Sequence, residues 1–262
     1  MIVDFPIRVD QRGFVAIWTL HRPDRANALS RDALLALGNL AREAATNASI
    51  RAVVITGSGE RAFCAGADLR ERQAMSEQEV MSQLELYRSE LGAIDRCPKP
   101  IVAAINGAAL GGGLELALCC DLRVVASHAE LGLPETSLGI IPGAGGTQRL
   151  PREIGHGRAK EMILLGRRLT AEQALAWGLV QRITPPGTSV VDDAVEWIRP
   201  IAQGAPIAQS AALDAIDRSY GVTLDVGLEL EKNSYGYTLA TQDRREALLA
   251  FAEKRKPRFE GK

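Results

Sequence analysis

Ile105-Asn106-Gly107-Ala108-Ala109-Leu110-Gly111-Gly112-Gly113-Leu114-Glu115-Leu116-Ala117-Leu118-Cys119-Cys120-Asp121 is the stretch around which the rest of the chain is organised. The apolar run Ile101 to Ile105 leads into it as a buried strand, consecutive glycines follow, and Leu114 to Leu118 is rich in helix formers, so the reading is strand, glycine turn, helix. Glycines at that junction bring the backbone close to a ligand and turn its N–H groups outward. The first helical turn leaves such donors unpaired, and the aligned peptide dipoles favour negative charge there. Gly112 and Gly113 can therefore present donors to an oxyanion, with the carboxylate of Glu115 less than a turn further on. A tight crossover would use the same glycines without any chemistry. A phosphate loop is disfavoured, because no Gly-Lys-Ser/Thr ending follows and Glu115 would repel a phosphate.

Outward from this stretch, the chain alternates strands and helices. Phe14 to Leu20, Arg51 to Thr56, Leu122 to Ala126 and Leu179 to Ile183 read as further strands. Ser30 is placed to cap a helix with Leu34, Leu35, Leu37 and Leu40 at helical spacing. Ser76 with Glu79 and Thr170 with Gln173 are capping boxes. Phe63 to Arg70 reads as a strand end opening into a loop, and Leu138 to Gln148 as a loop opening onto Arg149. From about Val190 the pattern turns helical: Asp192 to Ile198, Ile207 to Ile216 and Leu224 to Leu239, then a last helix through Phe251 capped by Asp243 with Glu246. The predicted class is α/β, with repeated strand-strand-helix units in residues 1–190 and a helical region in 191–262.

Composition bounds the function. The 262 residues are enough for a sizeable core, and 46% hydrophobic with 24% charged residues is ordinary for a soluble globular chain. A formal net charge of −1 gives no electrostatic case for a nucleic acid or an acidic membrane. Cys64, Cys97, Cys119 and Cys120 form no Cys-x-x-Cys pair, and the last two are assigned to the apolar helix, so reduced core thiols are expected. His21, His128 and His156 are widely spaced, which argues against a metal. Met1-Ile2-Val3-Asp4-Phe5-Pro6 shows no basic leader before an apolar run, and no window reaches the ~20 apolar residues of a membrane span. A cytoplasmic location is the expectation.

Glu135, in Leu133-Pro134-Glu135-Thr136, would alone pass for a solvated turn; beside Glu115 it gains a chemical meaning. Two carboxylates at one site can share a water, one accepting its proton while the other, kept protonated by burial or by its neighbour's charge, delivers one. Ordinary glutamates titrate near pH ~4.3, so one of the two has to be pushed up.

Three blocks resemble the signatures of the enoyl-CoA hydratase (crotonase) family: Phe63-Cys64-Ala65-Gly66-Ala67-Asp68-Leu69, Ile105 to Glu115, and Gly139-Ile140-Ile141-Pro142-Gly143-Ala144-Gly145-Gly146-Thr147-Gln148-Arg149-Leu150. The resemblance runs from Arg22-Pro23 to Phe251-Ala252-Glu253-Lys254-Arg255. It implies a crotonase-like spiral of strand-strand-helix units with a C-terminal helical trimerisation region, assembled as a trimer or a dimer of trimers. It implies that the Ala67 and Gly112 N–H groups hold a thioester oxygen, a donor pair of which each member is typically worth about 3 kcal/mol in the transition state. Glu115 and Glu135 match the two glutamates that add water across the 2,3 double bond of an acyl-CoA, coenzyme A being part of the substrate and no other cofactor being needed. Arg25, Ala26, Ala65, Asp68, Leu69, Arg70, Pro134 and Gly143 fall where the family meets substrate and CoA, and Phe251 and Lys254 where it reaches a neighbouring subunit's CoA. Asp24 stands where relatives often carry a basic residue. Cys64 to Arg72, Met75, Ile140-Ile141-Pro142 and Leu150-Pro151-Arg152 are most similar to the 3-methylglutaconyl-CoA hydratase branch, which acts in leucine breakdown. That branch includes an RNA-binding homologue that uses a lysine-rich first helix; Arg31 to Ala45 has no lysine, so nucleic acid is not expected. Competing readings are an isomerase or dehalogenase on the same fold, and a non-enzymatic RNA-binding protein. A diacid substrate would need a cation, for which Arg70, Arg72 and Arg88 are the candidates.

Overall fold

Apolar runs that split with period two build the main sheet. In the computed structural model, which describes residues 5–262, the strands are β1 (Ile7–Arg12), β2 (Val15–Leu20), β3 (Ala52–Gly57), β4 (Ala62–Cys64), β5 (Ile101–Ile105), β6 (Ala108–Leu110), β7 (Leu122–Val125), β8 (Glu130–Gly132), β9 (Arg168–Thr170) and β10 (Arg182–Ile183). The leader reading rests partly on Met1 to Asp4, which lie outside the described residues. Six strands form one sheet in the order β1-β2-β3-β5-β7-β10, parallel except for the β1–β2 hairpin. The four short strands form a second sheet, β4-β6-β8-β9. Along the chain β3 precedes β4, β5 precedes β6 and β7 precedes β8, so each unit gives a long strand to one sheet and a short one to the other. This is the spiral of strand-strand-helix units.

Both faces of the long sheet are covered, as the unbroken apolar runs require. Trp18, Val53, Ile55, Ile101, Ala103 and Ile105 face the larger core, shared with the second sheet and the helices α1 (Arg31–Thr46), α3 (Glu77–Asp95), α4 (Gly112–Ala117), α5 (Gly146–Ile154), α6 (His156–Leu164) and α7 (Ala171–Trp177), while the short α2 (Leu69–Gln73), between α1 and α3, buries none of its residues. Their strand neighbours Ile17, Ala52, Val54, Val102 and Ala104 face α8 (Val190–Trp197) and α9 (Arg199–Gln203) through Val190, Ala194, Ile198 and Ala202. The helical stretch after Val190 therefore divides. Its first two helices complete the sheet's cover, while α10 (Pro206–Asp217), α11 (Leu224–Leu239) and α12 (Gln242–Ala252) bury little and expose Leu224, Tyr237 and Phe251.

The caps at Ser30, Ser76 and Thr170 form as expected, the last two as complete boxes. Four details differ. The helix after the glycines ends at Ala117, so Cys119 and Cys120 sit in the turn beyond it, buried and unpaired. The segment Leu138 to Gln148 is not loop throughout, since α5 starts at Gly146. The last helix is capped by Thr241, which accepts from Arg244 N; Asp243 instead accepts from the amides of Glu260 and Gly261 and ties down the C-terminal tail. Glu246, the other half of the expected cap, pairs with Arg255. No helix among the described residues is long and apolar enough to cross a membrane.

Candidate active site

Two free main-chain donors define one wall of the site. Gly111 has φ 54°, a left-handed turn that favours glycine, and its N–H donates to Gly132 O at 2.9 Å. That turn starts α4 with Gly112 as its first residue. Gly66, φ +102°, lies so close that an added Cβ would stand 2.9 Å from Leu110 O and 3.2 Å from Gly112 N. A Cβ on Gly112 would itself lie 3.5 Å from Ala67 N. The amides of Ala67 and Gly112 are thus neighbours, and among the described residues neither donates to a protein acceptor. Gly113 serves packing instead, because any side chain there would run into the Cys64 carbonyl and hold α4 off β4.

Glu115 projects from α4 into the loop before α5. Its Oε1 accepts from Ala144 N at 2.8 Å and from Gly146 N at 2.7 Å. Burial pushes this carboxyl up; the two amides and the charges of Arg149 and Arg72 oppose it and favour the anion. The loop is itself braced. Arg149 donates to both oxygens of Asp95 at the end of α3, at 3.1 and 2.9 Å, and to Ala144 O at 3.3 Å.

Glu135 opens the short 3-10 helix Glu135–Leu138, with Oε1 3.1 Å from where a Gly111 Cβ would be. Its Oε2 is buried and has no partner among the described residues. Burial first, then the charge of Glu115, push its pKa to about 7, its own amide opposing. Burial thus raises both carboxyls, but their surroundings differ: Glu115 is gripped by two amides that favour its anion, while Glu135 is desolvated and keeps its proton up to about pH 7. Two donors, a carboxylate and a carboxylic acid around one spot can hold a carbonyl oxygen and pass protons on and off a neighbouring water.

The remaining residues from the sequence reading fall around this corner in different ways. Ala65 is exposed, and its amide is tied to Ala26 O at 3.0 Å. Ala26 and Asn27 are left-handed (φ 48° and 56°), held by Asn27, whose amide group donates to Ser58 O and Ala62 O. Arg25 pairs with Asp24 at 3.3 Å, and its buried Nη1 has no acceptor among the described residues. Asp68 is committed elsewhere: it binds Arg22 at 2.7 Å and caps α2 through Arg70 N. Leu69 and Arg70 are exposed on α2, Pro134 is half-buried beside Glu135, and an added Cβ on Gly143 would press on Leu84 at 2.7 Å. Phe251 (85% exposed) and Lys254 are exposed at and just beyond the end of α12. Sequence reasoning missed the Ala144 and Gly146 amides, the Arg149–Asp95 brace and Tyr87. The hydroxyl of Tyr87 donates to Leu29 O, and its ring would lie 3.5 Å from a Cβ on Gly112. The glycines of Gly143 to Gly146 were the available signal; Tyr87 reads only as one more buried helix position.

No metal-binding cluster of His, Cys, Asp and Glu exists among the described residues. Residues 10–262 match the family described as Enoyl-CoA hydratase/isomerase. A crystal structure of an enoyl-CoA hydratase from Bacillus anthracis superposes with a TM-score of 0.95 at 46% identity, covering 98% of this chain and 100% of that one. The mitochondrial methylglutaconyl-CoA hydratase of Mus musculus is 42% identical over 96% of this chain and 81% of its own length. The short-chain-enoyl-CoA hydratase of Clostridium acetobutylicum is 38% identical over 95% of both chains. With the fold, the glycine blocks and nearly the full length in agreement, the chain belongs to the enoyl-CoA hydratase/isomerase family.

Proposed function

We propose that this protein adds water across the 2,3 double bond of an acyl-CoA thioester, and removes it in the reverse direction. The observation that carries this reading is the placement of two buried carboxyls, Glu115 on the Ala144 and Gly146 amides and Glu135 beside it, next to the Ala67 and Gly112 amides, which donate to no protein acceptor among the described residues. The thioester oxygen sits between Ala67 N–H and Gly112 N–H, which stabilise the charge that grows there as the enolate forms. Glu115, held by Ala144 and Gly146, takes a proton from water as its oxygen bonds to C3. Glu135 delivers its proton to C2. The product gains H and OH, and the two carboxyls end with the proton on the other partner, to be exchanged before the next turnover. Coenzyme A enters as part of the substrate, along Asp24 to Ala26 and Ala65, and no other cofactor has a step to perform.

The test is the ultraviolet absorbance of the conjugated thioester of crotonyl-CoA, which falls on hydration. A 3-enoyl-CoA whose absorbance rises, with crotonyl-CoA untouched, would replace hydration by isomerisation. The 42% identity to a methylglutaconyl-CoA hydratase supports 3-methylglutaconyl-CoA as the natural substrate, in leucine breakdown. We assign the apolar outer surface of α10–α12, with Leu224, Leu228, Tyr235, Tyr237 and Phe251, to contacts between copies of the chain in a trimer or a dimer of trimers. Sedimentation at a monomer's rate would reject that assignment. The four buried, unpaired thiols support a reducing, cytoplasmic setting.

A further inference from the structure

Arg123, the second residue of β7, is 2% exposed, and among the described residues no other arginine or lysine is as deeply buried. A guanidinium stays out of water only where its donors are used, and here every nitrogen has an acceptor. Nε donates to Leu179 O at 2.7 Å, and Nη1 to Cys120 O at 2.8 Å and Ala117 O at 3.4 Å. Nη2 donates to Glu153 Oε2 at 2.6 Å.

Most of these acceptors lie at the ends of the two helices that build the catalytic corner. Ala117 is the last residue of α4 and Cys120 follows in the turn beyond it, where carbonyls run out of helical partners and the dipole favours a cation. Glu153 is the last residue but one of α5. The starts of the same helices meet at Glu115, whose Oε1 accepts from Gly146 N at 2.7 Å. Thus α4 and α5 are fastened to each other twice, through Glu115 at their starts and through Arg123 at their ends. With six residues α4 makes under two turns, so it moves as one short rod, and a shift of its end also displaces Gly112 and Glu115.

Resting on the hydratase reading, we propose that Arg123 is a positioning residue for the reaction: by clamping the ends of α4 and α5 it holds Glu115 in register with the Ala144 and Gly146 amides, and so aims that carboxylate at the water.

Glu153→Leu cuts the tie to α5, leaves Arg123 on the carbonyls of α4, and changes a side chain that is 30% exposed. With crotonyl-CoA, kcat should fall about 10- to 100-fold, the scale of a displacement of about 1 Å, while KM changes less than about twofold. With the amides drawn back, the burial of Glu115 is less opposed, so its carboxyl should hold its proton to higher pH. The acid limb of kcat/KM should move up with it. Glu153→Gln keeps an acceptor for Nη2 and should restore most of kcat and return the limb.

Asp193→Asn controls for lost stability alone. Asp193 on α8, 6% exposed, binds Arg182 at 2.9 and 2.7 Å on the other face of the long sheet, and this variant should match the wild type in kcat and acid limb. A near-normal kcat in Glu153→Leu overturns the proposal. So does a reduced kcat with an unmoved acid limb, or a loss shared by Asp193→Asn, either of which would leave Arg123 a plain structural anchor. Should Glu153→Leu fail to fold, Arg123→Lys decides by the same criteria, because one ammonium cannot span the acceptors on Leu179, Cys120 and Glu153. A wild-type protein that leaves crotonyl-CoA untouched would sink the hydratase reading itself. NMR titration of the isotope-labelled Glu115 carboxyl, assigned with Glu115→Gln, would then still test the clamp, and an unchanged titration in Glu153→Leu would overturn it.

Discussion

Replacing Glu135 by Gln removes the one catalytic carboxyl whose burial is uncompensated, and its effect on stability can be worked out in sign and size. A carboxyl that titrates at about 7 in the folded chain and at an ordinary 4.5 when unfolded binds more protons folded than unfolded between those values. Stability therefore falls as pH rises through that window, the reverse of the usual paired carboxylate, and levels off above it. Once Glu135 is ionised, the folded state has lost about 3 kcal/mol relative to a version that cannot ionise there. Glu135→Gln keeps the shape and removes the titration. Urea unfolding at one fixed protein concentration should find variant and wild type alike near about pH 4, with the variant ahead by about 3 kcal/mol near about pH 9. The same group should shape catalysis. Wild-type kcat/KM should fall on the alkaline side with a midpoint near 7, as the acid loses its proton. In the variant that limb should vanish, on activity reduced by about 10²–10⁴-fold. A stability difference that stays flat across this pH range, together with an unchanged alkaline limb, would refute the view that Glu135 is a buried acid.

Glu115→Gln keeps an oxygen for the Ala144 and Gly146 amides, so it should fold normally and lose about 10²–10⁴-fold in kcat on crotonyl-CoA; near-normal turnover would remove Glu115 from the chemistry. Gly112 is the first residue of α4, where proline fits a helix, so Gly112→Pro should delete one donor at little structural cost and slow the reaction about 100-fold. A folded Gly112→Pro protein with full activity would contradict the oxyanion assignment. Arg149→Leu frees Asp95 and the Ala144 carbonyl and loosens the loop that grips Glu115; kcat should drop more than KM rises, a split that stopped-flow binding of an acyl-CoA would check. Asn106 accepts from Gly57 N and Thr56 Oγ1 and donates to Gly59 O inside the core, so Asn106→Ala should cost about 2–4 kcal/mol in a denaturant titration.

Local features were legible in the sequence wherever a local rule produces them. The runs at β2, β3, β5 and β7 read as strands because each is mostly apolar and rich in β-branched residues, and the boxes at Ser76 and Thr170 because a cap needs only its own turn. The second sheet was mostly invisible: β4, β6, β8 and β9 have three residues each, too few for a period to show, and they exist only because neighbours pair with them. Asp243 shows the opposite failure, a correct local pattern overridden when the tail from Glu260 supplied better-placed amides. At the site, glycine spacing and family resemblance marked Ala67, Gly112, Glu115 and Glu135 as candidates. Their chemistry was decided only in three dimensions, since a carboxyl's proton depends on how much water it has lost and on which donors reach it. Ala144 and Gly146 arrive at Glu115 from a later loop, and among the described residues nothing arrives at Oε2 of Glu135. Neither fact is a property of any short stretch of chain.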